Sequence, residues 1–140
     1  MGNQRIARLT NSDADFYSLI GPFLSRREIV KELGFPIWDD SDKTWFVASE
    51  RGRVMGFAAV RFEKRKAVLC SAYVLPDHRR KGIYKKLAEA RLAWIASLKG
   101  QVDTIASVAT EASLPLLKKK GFKVVRAVGR YTHVNKEITL

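Results

Sequence analysis

The chain has 140 residues, with 26 Lys and Arg against 14 Asp and Glu, for a formal net charge of +12. That length holds one domain around a single core, and 46% hydrophobic with 29% charged residues is the balance of a globular protein. No apolar run reaches the ~20 residues of a membrane span, no apolar leader core is seen, and one cysteine, Cys70, excludes an internal disulfide, so a reducing, cytoplasmic setting is expected.

Alternating polar and apolar residues predict a strand over 5–9. Thr10, Asn11, Ser12 and Asp13 offer N-caps for a helix carrying Phe16, Leu19 and Ile20. Gly21-Pro22 is expected to interrupt it. Ser25 with Glu28 reads as a capping box for a second helix, which carries Ile29, Val30 and Leu33 and stops at Gly34. Arg26, Arg27, Glu28, Lys31 and Glu32 fall on its outer face. The loop over 35–42 mixes Phe35, Trp38, Asp39, Asp40 and Asp42.

Aromatic and β-branched residues predict strands over 45–49 and 54–62, joined by a glycine-containing hairpin turn at 50–53. A basic turn at 63–66 leads to a third strand over 67–75. Pro76 ends it, because proline has no N–H for a sheet ladder. Cys70 lies in this apolar strand and fits a small buried hydrophobe better than a nucleophile. A helix is predicted over 83–98, stopping at Lys99-Gly100. Ile83, Leu87, Ala90, Trp94 and Leu98 form one stripe, with Tyr84, Ala88, Leu92 and Ile95 beside it and Lys85, Lys86 and Glu89 opposite. A buried strand over 103–109 follows, and a strand, crossover helix and strand imply a right-handed parallel pair. Thr110 is placed to cap a helix through Leu114, Leu116 and Leu117, with Pro115 setting its start near Ser113. Lys118, Lys119 and Lys120 lie in its last turn and Gly121 ends it. Strands over 123–128 and 131–138 complete the chain.

The stretch from 72 to 98 organises these elements. A strand, a basic turn and a helix suit an anion, because the first helical turn leaves N–H groups unpaired and carries the positive end of the peptide dipoles. A pyrophosphate is the natural guest. Gly82 permits positive φ and close backbone approach. His78, Arg79, Arg80, Lys81, Lys85 and Lys86 crowd cations around the same turn. A solvated basic loop before an ordinary helix is the plainer reading of those residues.

Arg79-Arg80-Lys81-Gly82-Ile83-Tyr84 after Val74-Leu75-Pro76 resembles the acyl-CoA-binding signature of the GNAT superfamily of N-acyltransferases. That signature is Arg or Gln, two residues, Gly, one residue, then Gly or Ala, after a Val-x-Pro strand end. Tyr84 departs from it at the last small position. The meander from Trp45 and the Gly121-Phe122 pair before a strand are also similar to this family. The resemblance implies an α/β (α+β) fold, with a mixed, mostly antiparallel sheet of about six to seven strands flanked by about four helices. It also implies a splayed parallel pair at the cofactor site.

What the resemblance implies chemically is transfer of an acetyl group from acetyl-CoA to a primary amine, in one ternary complex and without a metal. Ala72 and Val74 would pair their backbone with the pantetheine arm. Arg79, Arg80, Lys81, Gly82, Ile83, Tyr84 and Lys85 would hold the pyrophosphate by their N–H groups. A base must free the amine, and an N–H near Val74 would polarise the thioester carbonyl. Relatives often protonate the thiolate from a Tyr four residues before Gly-Phe, but that position is Leu117 here. The Asn common after the second splayed strand is Thr110, and the Glu some relatives use as base is Val68. Tyr84 and Tyr73 are the remaining acid candidates, because each carries a hydroxyl near the expected cofactor. Trp38, Asp39, Asp40, Tyr131 and His133 would border the acceptor.

The acceptor is not legible from these residues. The net charge of +12 exceeds what one cofactor requires. A nucleic acid or other polyanion is therefore an expected partner, although excess Lys and Arg also serve solubility. A GNAT-like protein that binds nucleic acid with little turnover is the alternative. No feature selects between a monomer and a homodimer.

Overall fold

Alternation along β2 (Lys43–Glu50) sends Trp45 and Val47 to one face of a sheet and Phe46 and Ala48 to the other. All four are buried, so both faces of this strand are covered. In this computed structural model, residues 4–24, 26–34, 36–98 and 100–138 are described. They form a seven-stranded sheet in the order β1-β2-β3-β4-β5-β7-β6. Its other strands are β1 (Gln4–Leu9), β3 (Arg53–Glu63), β4 (Lys66–Val74), β5 (Thr104–Ala109), β6 (Lys123–Val128) and β7 (Tyr131–Glu137). The β4–β5 pair is parallel and every other neighbouring pair antiparallel.

One face carries α1 (Phe16–Leu24) and α2 (Arg27–Leu33). Phe16, Ile20, Phe23 and Ile29 pack there against Trp45, Phe57 and Tyr73. The other face carries α3 (Ile83–Ala96) and α4 (Leu114–Lys119). Ile83, Leu87, Ile95 and Leu117 pack there against Phe46, Val60, Leu69 and Ile105. Burial of each such side chain is worth roughly 1.5–3 kcal/mol, which is why the apolar periods decide the layering.

α1 differs from the sequence expectation. It runs through Gly21-Pro22 instead of stopping there. Pro22 sits in the last turn, where only one helical bond is lost. Phe23 beyond it stacks on Phe57 at a centroid distance of 5.4 Å, and this burial holds the turn in place. The capping role of Ser25 lies outside the described residues, and the last helix turn expected through Leu98 is not formed: α3 ends at Ala96 with Ser97 as its C-cap. α2 starts after Arg26, which makes no side-chain capping bond, and ends at Gly34 in the left-handed region, φ 87°. α4 begins at Leu114 with Pro115 in its first turn, as expected. Thr110 and Ser113 bond each other's backbone N–H ahead of it.

Gly56 on β3 faces Val74 at the end of β4. A Cβ there would meet the Tyr73 carbonyl oxygen at 3.0 Å and Val74 Cα at 3.2 Å, both backbone atoms that cannot swing away. Gly56→Ala is therefore expected to cost about 1–3 kcal/mol in urea unfolding. An unchanged midpoint would show that the end of β4 is not held against β3.

Candidate functional site

β4 and β5 part company halfway. Lys66, Ala67, Val68 and Leu69 align with Thr104, Ile105, Ala106 and Ser107, and the pairing stops there. Val108 and Ala109 go on paired only with β7. Tyr73 and Val74 go on paired only with β3. The cause is visible in β4. Its register with β3 shifts between Phe57 and Ala59, and Ser71 takes φ 53°. A non-glycine residue in that region marks a β-bulge, which bends and twists its strand. The backbone edge of β4 from the bulge to Val74 is thus left without a strand partner in β5.

The bulge also resets which side chains face which way. Ala67, Leu69, Ala72 and Val74 point to the α3 side, and Cys70 and Tyr73 to the α1–α2 side. Lys43 reaches the bulge from the second side. It is buried, and its Nζ donates to the Trp38 carbonyl at 2.7 Å and to Ser71 Oγ at 3.2 Å, with Asp40 at 3.5 Å. The loop before β2 is pinned to the bulge in this way. Burial pushes the Cys70 thiol up, which suits a packing role better than a nucleophilic one.

At the open end of β4, Pro76–His78 form a single 3-10 turn. Arg80 and Gly82 then both take positive φ, 64° and 78°. Alternating signs of φ turn successive N–H groups toward one side, a shape that favours anions. The first helical bond of α3 runs from the Lys86 N–H to the Gly82 carbonyl, so the N–H groups of the first turn lie ahead of it without helical partners. No atom of the described residues lies within 4 Å of where a Gly82 Cβ would be. Gly82 is therefore required by its backbone angle, and the space beside it is open.

Ala72 and Val74 lie on the stretch of β4 past its pairing with β5, and the Arg79 to Lys85 run follows through the turn into α3, with Arg80, Lys81 and Lys85 exposed. The Arg79 side chain turns away from the helix mouth. Its Nε donates to the Val74 carbonyl at 2.9 Å, and its Nη2 lies 2.6 Å from Glu32 Oε2 on α2. Its guanidinium also lies over the Tyr73 ring, 5.3 Å from the centroid. The Tyr73 hydroxyl donates to Glu32 Oε1 at 3.3 Å. Burial and the nearby Glu32 carboxylate push Tyr73 above the ordinary tyrosine range, so it holds its proton.

Tyr84 is half-buried in the first turn of α3 and lies near Arg91, seven residues on. Sequence reading missed Arg91, although its spacing from Ala88 and Ile95 puts it on the inner stripe. It is 1% exposed. Its Nη1 donates to the Ala59 carbonyl at 3.3 Å, beside the bulge, and its Nε has no partner among the described residues. Burial pulls this guanidinium below its ordinary range, with Tyr84 and Cys70 acting against that pull. Glu32 was the other omission, since its partners Tyr73 and Arg79 are far away in sequence.

Other expected positions lie elsewhere. Leu117 is fully buried and Val68 half-buried, so neither offers a proton donor or acceptor to the opening. Tyr131 donates to the Leu33 carbonyl at 2.6 Å and serves to tie β7 to the end of α2. His133 lies within β7, aligned with Val108 on β5. Trp38 is exposed and Asp39 accepts from the Tyr17 hydroxyl. A separate cleft of about 220 Å³ lies between β1 and the first turn of α3, lined by Gln4, Ile6, Met55, Ile83 and Lys86; it shares Ile83 with the Arg79 to Lys85 run and includes no residue of β4.

A parallel pair opened by a bulge, with a left-handed glycine and a helix N-terminus at the same end, defines an acyl-CoA N-acyltransferase fold. The sequence matches the Acetyltransferase (GNAT) family over residues 6–122. The chain belongs to that family, whose members are N-acetyltransferases that use acyl-CoA. A search of curated proteins finds no match. Among solved structures it is similar to an acyl-CoA N-acyltransferase from Pseudomonas aeruginosa, at TM-score 0.76 and 15% identity, covering 96% of this chain and 99% of that one. The PaiA N-acetyltransferase of Thermoplasma acidophilum, in complex with coenzyme A, is similar at TM-score 0.66 and 14% identity, covering 97% and 99%. A GNAT family acetyltransferase of Elizabethkingia anophelis with acetyl-CoA bound is similar at TM-score 0.67 and 11% identity, covering 97% and 99%.

Arg91 yields a signed prediction. A buried charge held by a 3.3 Å hydrogen bond to the Ala59 carbonyl, with the Tyr84 hydroxyl nearby, costs more to desolvate than it recovers. Arg91→Met, of similar length, is expected to leave stability unchanged or raise it by about 1–4 kcal/mol in urea unfolding. Arg91→Ala is expected to lower it by opening a cavity. Loss of more than a few kcal/mol in the Met variant would mean that the guanidinium has strong partners beyond Ala59 and Tyr84.

Proposed function

We propose that this protein transfers an acetyl group from acetyl-CoA to a primary amine, directly and in one ternary complex. The observation that carries the reading is the coincidence at one end of β4 of three features. They are the unpaired strand edge past Leu69, the positive φ of Arg80 and Gly82, and the open first turn of α3. In this reading the backbone of Ala72 and Val74 takes the pantetheine arm as an added strand. The N–H groups of Arg79, Arg80, Lys81, Gly82, Ile83, Tyr84 and Lys85 hold the pyrophosphate, with the helix dipole behind them. Main-chain contacts dominate, so the cationic side chains add attraction without setting the geometry. Holding thioester and amine together supplies much of the rate, because it removes the entropic cost of their encounter.

The acceptor is an amine, and charge gives it a context. Its approach to a chain of net charge +12 is favoured when it is attached to an anionic body. A nucleic acid or a nucleoprotein has that character. A second reading keeps the fold and that partner but little turnover. The burial of Leu117 favours it, because the position relatives use for a proton donor is sealed in the core.

Binding of acetyl-CoA is expected to raise the melting temperature, by an amount corresponding to about 2.7 kcal/mol at a ligand concentration of 100 Kd. Gly82→Pro is expected to abolish the shift while leaving the circular dichroism spectrum unchanged, because proline cannot take the positive φ. No shift for the wild-type protein at millimolar acetyl-CoA would refute the cofactor site. A mass-spectrometric screen of acetyl transfer to polyamines, peptides, RNA and DNA separates the two readings. A labelled acceptor supports the enzyme, and binding to nucleic acid without label supports the second.

A further inference from the structure

Glu32 and Tyr73 meet on the α1–α2 side of the sheet, opposite the face that α3 covers. Tyr73 lies between Ala72 and Val74, two residues past the bulge, on the stretch of β4 that has no partner in β5. It is 7% exposed, whereas the Glu32 side chain keeps 44%. The pair therefore has one dry member at the opening and one that reaches water. An ionised carboxylate has about four lone-pair sites. Tyr73 takes one on Oε1 and Arg79 one on Oε2, which leaves room for a further donor. Arg79 also grips the Val74 carbonyl, so the carboxylate is fixed relative to the end of β4 rather than carried on a free helix. A held carboxylate, half open to water, beside a strand edge where a thioester would end is a seat for a cation.

Resting on the acyl-CoA reading above, we propose that Glu32 binds the ammonium of the acceptor and takes its proton, and that Tyr73 protonates the departing thiolate. The ammonium first gives one proton to Glu32, which passes it to solvent. The neutral nitrogen attacks the thioester carbonyl carbon, a C–N bond forms, and the carbonyl π pair moves to oxygen. The nitrogen, now cationic, gives a second proton to Glu32. The intermediate collapses, the C–S bond breaks with its electron pair on sulfur, and the Tyr73 hydroxyl protonates that sulfur. The phenolate recovers its proton from Glu32 across their hydrogen bond. One ammonium and one thioester become one amide, one thiol and one proton released. This relay supplies, from the α1–α2 side, the proton transfers that Leu117, Thr110 and Val68 cannot. The substrate class it selects is a cationic primary amine.

Two non-reacting probes test the carboxylate without knowledge of the natural acceptor. S-(2-aminoethyl)-coenzyme A carries an ammonium two carbons from sulfur, and S-ethyl-coenzyme A lacks only that group. Calorimetry at pH 7 is expected to show the aminoethyl compound binding about tenfold tighter, one charge-assisted hydrogen bond in magnitude. Glu32→Gln is expected to remove that preference and leave the affinity for S-ethyl-coenzyme A unchanged. Tyr73→Phe is expected to keep the preference, and to slow thiol release from acetyl-CoA with n-butylamine at least tenfold. Equal affinity for the two probes in the wild type, or a preference surviving in Glu32→Gln, would overturn the role of Glu32. Equal thiol release by the wild type and Tyr73→Phe would overturn that of Tyr73. Failure of the wild type to bind S-ethyl-coenzyme A would instead overturn the acyl-CoA reading itself.

Discussion

The rest of the structure depends on one backbone conformation in β4. Ser71 stands in the left-handed region, and the extra residue there turns β4 away from β5. Such a position costs a non-glycine residue of order 1–3 kcal/mol and persists only where its surroundings over-determine it. Those surroundings are present on both faces. Lys43 holds Ser71 Oγ from the α1–α2 side, and Arg91 reaches the Ala59 carbonyl from the α3 side. Two buried cations, at opposite faces of the sheet, bracket the place where the two strands separate.

From that separation the rest follows by continuity. A strand edge without a partner must find other donors and acceptors, and an extended amide-bearing ligand supplies them as a further strand would. The same edge runs into Pro76, the basic turn and α3, so the strand edge and the open N–H groups of α3 share one end of the sheet. The fold thus brings two kinds of unsatisfied backbone together, one along a strand and one at a helix terminus. Side-chain chemistry is added from α2, whose Glu32 joins Arg79 and Tyr73 at the end of β4.

Much of this was legible in the residues. Period-2 runs fixed the antiparallel meander, and the change to helical spacing after Gly82 located α3. Pro76, the cationic turn and Gly82 marked the anion site candidate because each has a backbone consequence readable without tertiary contacts. The misses share a physical character. Gly21-Pro22 is a strong local stop, yet the burial of Phe23 against Phe57 carries α1 through it. Arg91 reads as a surface residue by type, and only its spacing from Ala88 and Ile95 hinted at the core. The bulge at Ser71 has no glycine to announce it. Glu32 pairs across 41 residues with Tyr73, a distance that no local pattern spans.

The most direct measurement is an amide-resolved NMR titration of the protein with coenzyme A. The account predicts that the largest shifts fall on the amides from Ser71 to Val74 and from Arg79 to Lys85, with little change at Gln4, Ile6 and Met55 in the cleft between β1 and α3. Shifts concentrated at Gln4, Ile6 and Met55, with the β4 edge and the α3 mouth unmoved, would contradict it.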